Sequence, residues 1–206
     1  MGLPEEYKAV GRVIRRYWRN YGGFSALFSS PYFYFSVVFG VLFFPYDFDK
    51  GNEWWQIAMD ILPNVVGFSL GGYAIFLAFG DEKFKRLIAV KDEDAVDVGK
   101  SNEKPSPYLS FSVAFLHFTL MQLFALFLAL AGNSLTLVPG KYADLGIPWV
   151  EVVSDVASYA FGLLAYTVFV YALSLAVAAT FSIYRLVYLY DQHLQVNSED
   201  PHGSGG

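Results

Sequence analysis

VASYAFGLLAYTVFVYALSLAVAATFSIY, Val156 to Tyr184, runs without an Asp, Glu, Lys or Arg. Three other stretches share that property: Tyr21–Tyr46, Ile61–Gly80 and Pro105–Gly140. The hydrocarbon core of a bilayer is about 30 Å thick and takes roughly 20 apolar residues of helix to cross, so each stretch is long enough. Four such runs in 206 residues predict an all-α membrane protein with four transmembrane helices. Composition agrees: 55% of residues are hydrophobic, 19% aromatic and only 16% charged, leaving room for one membrane domain and no separate soluble one. With no cysteine, disulfides and thiolate metal sites are excluded.

Basic residues set the expected orientation. Lys8, Arg12, Arg15, Arg16 and Arg19 precede the first run, and Lys83, Lys85, Arg86, Lys91, Lys100 and Lys104 lie between the second and third. Arg185 follows the fourth, so only Lys50 and Lys141 fall on the opposite side. The positive-inside rule then predicts both termini and the middle connection in the cytoplasm of a multi-pass protein of the bacterial inner membrane. The first run starts behind a charged segment and is too long for a signal-peptide core, so it reads as a retained span.

Residues 1–30 are expected to form a cytoplasmic amphipathic helix and lead-in. Tyr7, Val10, Ile14, Tyr17 and Trp18 fall at helical spacing opposite the arginines, as in a helix lying among anionic headgroups. Gly22-Gly23 should break it. The transmembrane domain covers 31–194, with spans at about 31–46, 54–80, 107–131 and 149–185 and a solvated cytoplasmic loop at 81–106. Pro31 opens the first span, which ends near Pro45. Trp54 and Trp55 read as an interfacial aromatic pair, and Pro63 should kink the second span. Gly132-Asn133 begins an outer loop rich in turn residues. The fourth span shows no breaker until about His193, so it must tilt or project into the cytoplasm. Residues 195–206 read as a disordered tail or appended linker.

Gly67-Phe68-Ser69-Leu70-Gly71-Gly72 matches the G-x-S-x-G elbow of serine hydrolases, with His117 and Asp155 downstream. That elbow needs a strand turning sharply into a helix, whereas this segment lies inside an uncharged run. The same letters place Gly67, Gly71 and Gly72 where small residues let membrane helices pack closely, within or between subunits. Asp60, Asn64, His117, Gln122, Glu151 and Asp155 are the candidates for a polar pathway, because ionisable groups within a span should face protein or water. Interhelical hydrogen bonding is the structural alternative for the same residues. Arg12, Arg15, Arg16, Arg19, Lys83, Lys85 and Arg86 form the candidate cytoplasmic surface for a partner or lipid. Three histidines give no convergent metal-ligand set, and no phosphate loop or nucleic-acid motif is present, so neither cofactor nor metal nor direct nucleic-acid binding is expected.

Size, four spans, cytoplasmic termini and the stretch LPNVVGFSLGGYAIFLAFGDEKF (Leu62–Phe84) together resemble the membrane subunit of the Kiwa anti-phage defence system. That resemblance implies an inner-membrane homo-oligomer, a tetramer being one arrangement, that senses infection and holds a cytoplasmic, nucleic-acid-binding partner. It carries over no functional residues. The expected function is therefore non-enzymatic: assembly in the membrane and recruitment of, or signalling to, a cytoplasmic protein. An ion-conducting pore or small transporter with an acidic outer mouth is the alternative, and an intramembrane serine hydrolase a distant one.

Overall fold

A computed structural model describes residues 5–49, 54–78, 107–135 and 148–199, and among these all but Gly22, Ser29 and Ser30 are helical. The described residues form six helices in order: α1 (Glu5–Tyr21), α2 (Gly23–Phe28), α3 (Pro31–Asp49), α4 (Trp54–Ala78), α5 (Pro107–Leu135) and α6 (Pro148–Glu199). Prolines stand at the first position of α3, α5 and α6, where the missing N–H would have no intrahelical acceptor. The α1–α2 break falls at the glycine pair as expected, with Gly22 at φ +100° and Gly23 at φ +62°, a conformation that a Cβ disfavours.

Among the described residues two segments are long and apolar enough to cross a membrane, Tyr108–Ser134 and Val152–Gln192, with mean hydropathies of 2.1 and 2.0. Less than half of either apolar window is buried. α6, with 52 residues, is about 78 Å long at 1.5 Å per residue. α3 holds six Phe, three Tyr and two Pro, whereas α4 holds two Phe with Trp54, Trp55, Pro63 and Asn64.

The long helices form an open row. α3 packs along α6, α6 along α5, and α5 along α4, whereas α4 meets α6 sparingly and α3 scarcely touches α4. Large side chains meet small ones at each contact. Phe44 of α3 seats on Gly162 of α6, Thr167 of α6 on Gly40 of α3, and Trp55 of α4 on Gly132 of α5. The main core joins Phe44, Trp54, Trp55, Leu62, Ala125 and Phe169, and a second cluster gathers Phe115, Phe118, Tyr171 and Leu175.

Several expectations change. Pro45 lies inside α3, which continues to Asp49. Gly132 and Asn133 belong to α5 rather than to a loop, because Gly132 is the one residue small enough to receive the Trp55 ring there. Trp54 and Trp55 are 2% and 6% exposed, so they wedge into the protein core instead of facing headgroups. The expected loop 81–106, with Lys83, Lys85 and Arg86, and the tail beyond Glu199 lie outside the described residues.

Candidate functional site

Helix α4 has two opposite rows. Ala58, Leu62 and Ser69 recur at three- to seven-residue intervals and are buried on the α5 side. Asp60, Asn64, Gly67 and Gly71 recur at the same period on the other side and are all exposed. A Cβ built at Gly67 or Gly71 meets nothing within 4 Å, and one at Gly72 reaches only Phe115, at 3.9 Å. The close helix contacts within the protomer thus use Gly40, Gly132 and Gly162, while the Gly67/Gly71 face stands open. No local spacing rule singles out those three glycines; their partners are aromatic or β-branched residues distant in sequence.

The polar candidates are dispersed. Asn64 Nδ2 donates to the Asp60 backbone carbonyl at 3.0 Å, and Gln56 Nε2 donates to Asp60 Oδ1 at 3.4 Å, so both are engaged on their own helix. Asp155 lies near the start of α6, partly exposed, and Glu151 one turn before it. Gln122 is fully buried on α5, across from Ser69 on α4, with Ser69 Oγ 3.4 Å from Gln122 Oε1. The Ser69 hydroxyl has one proton, which it donates to the Val65 carbonyl. Turning the amide so that Gln122 Nε2, otherwise without an acceptor, faces Ser69 Oγ satisfies both groups. Thr119, Thr167, Ser174 and Thr180 likewise donate to carbonyls four residues back on their own helices. Among the described residues, these serines and threonines each bond to their own helix.

His117, 3% exposed, is the centre of the densest polar cluster. Its Nδ1 lies 2.6 Å from the Tyr17 hydroxyl and its Nε2 3.3 Å from the Tyr171 hydroxyl. Tyr21 stacks on the imidazole with ring centroids 3.8 Å apart. The last turn of α1 therefore docks on α5, while Tyr7, Val10 and Ile14 at its other end stay exposed with the four arginines. Burial, with the Tyr21 phenol beside it, pushes the Tyr17 hydroxyl up from its usual 10 to about 12, so it keeps its proton and can donate to Nδ1. Nε2–H then faces Tyr171.

With both imidazole nitrogens beside tyrosine hydroxyls, His117 is not hydrogen-bonded to Ser69, and the serine sits mid-helix rather than on an elbow. The tyrosines around His117 gave no signal in the sequence, since Tyr17 is 100 residues away. Among the described residues no group of three His, Asp or Glu side chains could hold a metal. No family model, curated protein or solved structure matches the chain.

Proposed function

We propose that this chain is a non-enzymatic, four-span protein of a bacterial inner membrane, with both termini cytoplasmic, that self-assembles through α4 and engages a cytoplasmic protein. The observation that carries the reading is the open Gly67/Gly71 face: small residues permit close approach of a second helix, and the protomer supplies none there. Asp60 and Asn64 in the same row give that approach polar groups to pair.

The membrane setting is supported by what the helices leave exposed. Phe35, Val38, Leu42 and Phe43 of α3, and Phe68 and Ile75 of α4, are at least half exposed, which suits lipid and not water. With α3 and α4 counted beside α5 and α6, the spans number four. The end of α6 beyond Arg185, the arginines of α1 and the 81–106 connection then share the cytoplasmic side. A role as membrane sensor or anchor of an anti-phage defence complex is the specific form of this proposal.

Substituting Gly67→Leu with Gly71→Leu tests it, because neither side chain meets anything within the protomer. The expected result in detergent is a wild-type homo-oligomer, a tetramer being the candidate, and a monomeric variant with an unchanged melting temperature. A monomeric wild type, or a variant that assembles normally, would refute the reading.

A further inference from the structure

The separation of α3 from α4 leaves a groove with a cavity volume of about 490 Å³, floored by α6. It runs from Asp47 on α3 and Trp54 on α4 down to Phe35 on α3 and Val177 on α6. At 1.5 Å per residue that distance is about 17 Å, close to half of a roughly 30 Å hydrocarbon core, one leaflet deep. Its length and its mostly apolar lining suit a flexible hydrocarbon chain lying along it.

Its carboxylate and phenol lie at one end, while Ser174, further down, donates to the Val170 carbonyl. Asp47 and Tyr166 line that end together, and the Asp47 carboxylate acts electrostatically on the Tyr166 phenol. Trp54, whose indole lies 5.3 Å from the Tyr166 ring, has an Nε1–H without an acceptor among the described residues. Further down, the other wall residues are aromatic and aliphatic, and Ile57 and Ile61 on the α4 rim are 50% and 40% exposed. A carboxylate attracts a cationic headgroup and repels an anionic one, and an indole N–H suits an ester carbonyl.

We propose that the α3–α4 groove binds one acyl chain of a phospholipid with an ammonium headgroup, a phosphatidylethanolamine, with the headgroup at Asp47 and the chain between Phe39 and Ile61. This proposal rests on the membrane reading above but not on assembly through Gly67 and Gly71, which lie off the groove. The lipid completes a helix packing that the described helices leave open, and it is recognised by charge at one end and by the mostly apolar walls along its length.

Native mass spectrometry of the full chain, extracted in mild detergent and exposed to equimolar phosphatidylethanolamine and phosphatidylglycerol of identical chains, tests this. The expected result is one phosphatidylethanolamine retained per protomer, with a preference of about fivefold, the factor an ion pair of roughly 1 kcal/mol provides. Asp47→Asn should bring the two lipids to parity, and Ile57→Trp, filling the groove from its rim, should expel both. Ile61→Trp is the second filling variant if Ile57→Trp does not fold.

Equal retention of the two lipids by wild type, an unchanged preference in Asp47→Asn, or undiminished lipid in a folded filling variant would each overturn the proposal. So would a filling variant that dissociates the oligomer while keeping its lipid, which would make a second copy the occupant. A chain recovered without detergent from the aqueous fraction would instead overturn the membrane reading.

Discussion

Replacing Gly132 by alanine should destabilise the protein although it adds only one methyl group. The new Cβ would stand 2.5 Å from Trp55 Cη2 and 2.6 Å from Cε3, against a carbon–carbon optimum of roughly 3.5–4.0 Å. The ring must retreat by about 1 Å, and it is poorly placed to do so: it lies on the Trp54 indole at 3.8 Å and stacks with Phe161 at 6.2 Å. Overpacking costs about 1–3 kcal/mol, and a rigid indole places this site near the upper end. Alanine regains about 1 kcal/mol over glycine within a helix. The net loss is therefore about 2 kcal/mol, or roughly 4–8 °C in melting temperature for a chain of this length. Heating in detergent, followed by the fraction still eluting as a monodisperse peak, measures it. In a Trp55→Leu background the wall is gone, so Gly132→Ala should become neutral or stabilising, a coupling of more than about 1 kcal/mol. Gly132→Ala melting at or above wild type, or an equal loss in both backgrounds, would refute the Trp55–Gly132 contact as the joint between α4 and α5.

Tyr17→Phe removes the hydrogen bond to His117 while keeping the ring, so the end of α1 should undock about 2–10 times more often, the equivalent of 0.5–1.5 kcal/mol. Faster tryptic cleavage after Arg15, Arg16 and Arg19 reads this, and an unchanged rate would mean that stacking alone holds the helix. The docked helix favours the neutral Tyr17 phenol, so that contribution is complete below pH 10 and is lost as the pH rises through about 12. Emission of Trp18, whose ring is 6.4 Å from that of Tyr17, should change over the same range in wild type and not in Tyr17→Phe. Gln122→Met removes the hydrogen bond to Ser69 and should cost about 0.5–1.5 kcal/mol, because Ser69 keeps the Val65 carbonyl; a larger loss in thermal melting would show that the Gln122 amide has a further partner.

Helix positions were legible because their determinants are local. Uncharged runs marked α5 and α6, Pro31 and Pro107 marked two starts, and Gly22 marked the break after α1. Neighbour relations were not legible, since they depend on complementary shapes at distant positions. Gly132 in a turn-like context and Trp55 at the edge of a run each read as boundary residues, and only their contact makes both core residues. Gly67 and Gly71 were legible as packing residues, yet periodicity cannot say whether the partner lies inside the protomer. Their open side is a property of where α5 sits, which Ser69 and Leu62 decide on the opposite face.

Consecutive antiparallel helices with a short connection ordinarily pack against each other. Only residues 50–53 separate α3 from α4, yet the two helices have different neighbours. The aromatic residues flanking that connection account for the difference. Phe44 is locked onto Gly162 and holds α3 against α6, while Trp55 is locked onto Gly132 and holds α4 against α5. Trp54, buried against Tyr166 and Phe169, occupies the space at the start of α4 through which that helix would have to swing to reach α3. Closing the row into a four-helix bundle would require expelling that indole and opening both glycine joints. The α3–α4 gap is thus a consequence of three well-packed contacts rather than of loose packing. Because shape complementarity at those contacts sets the gap, it should persist whether or not a lipid chain lies in it.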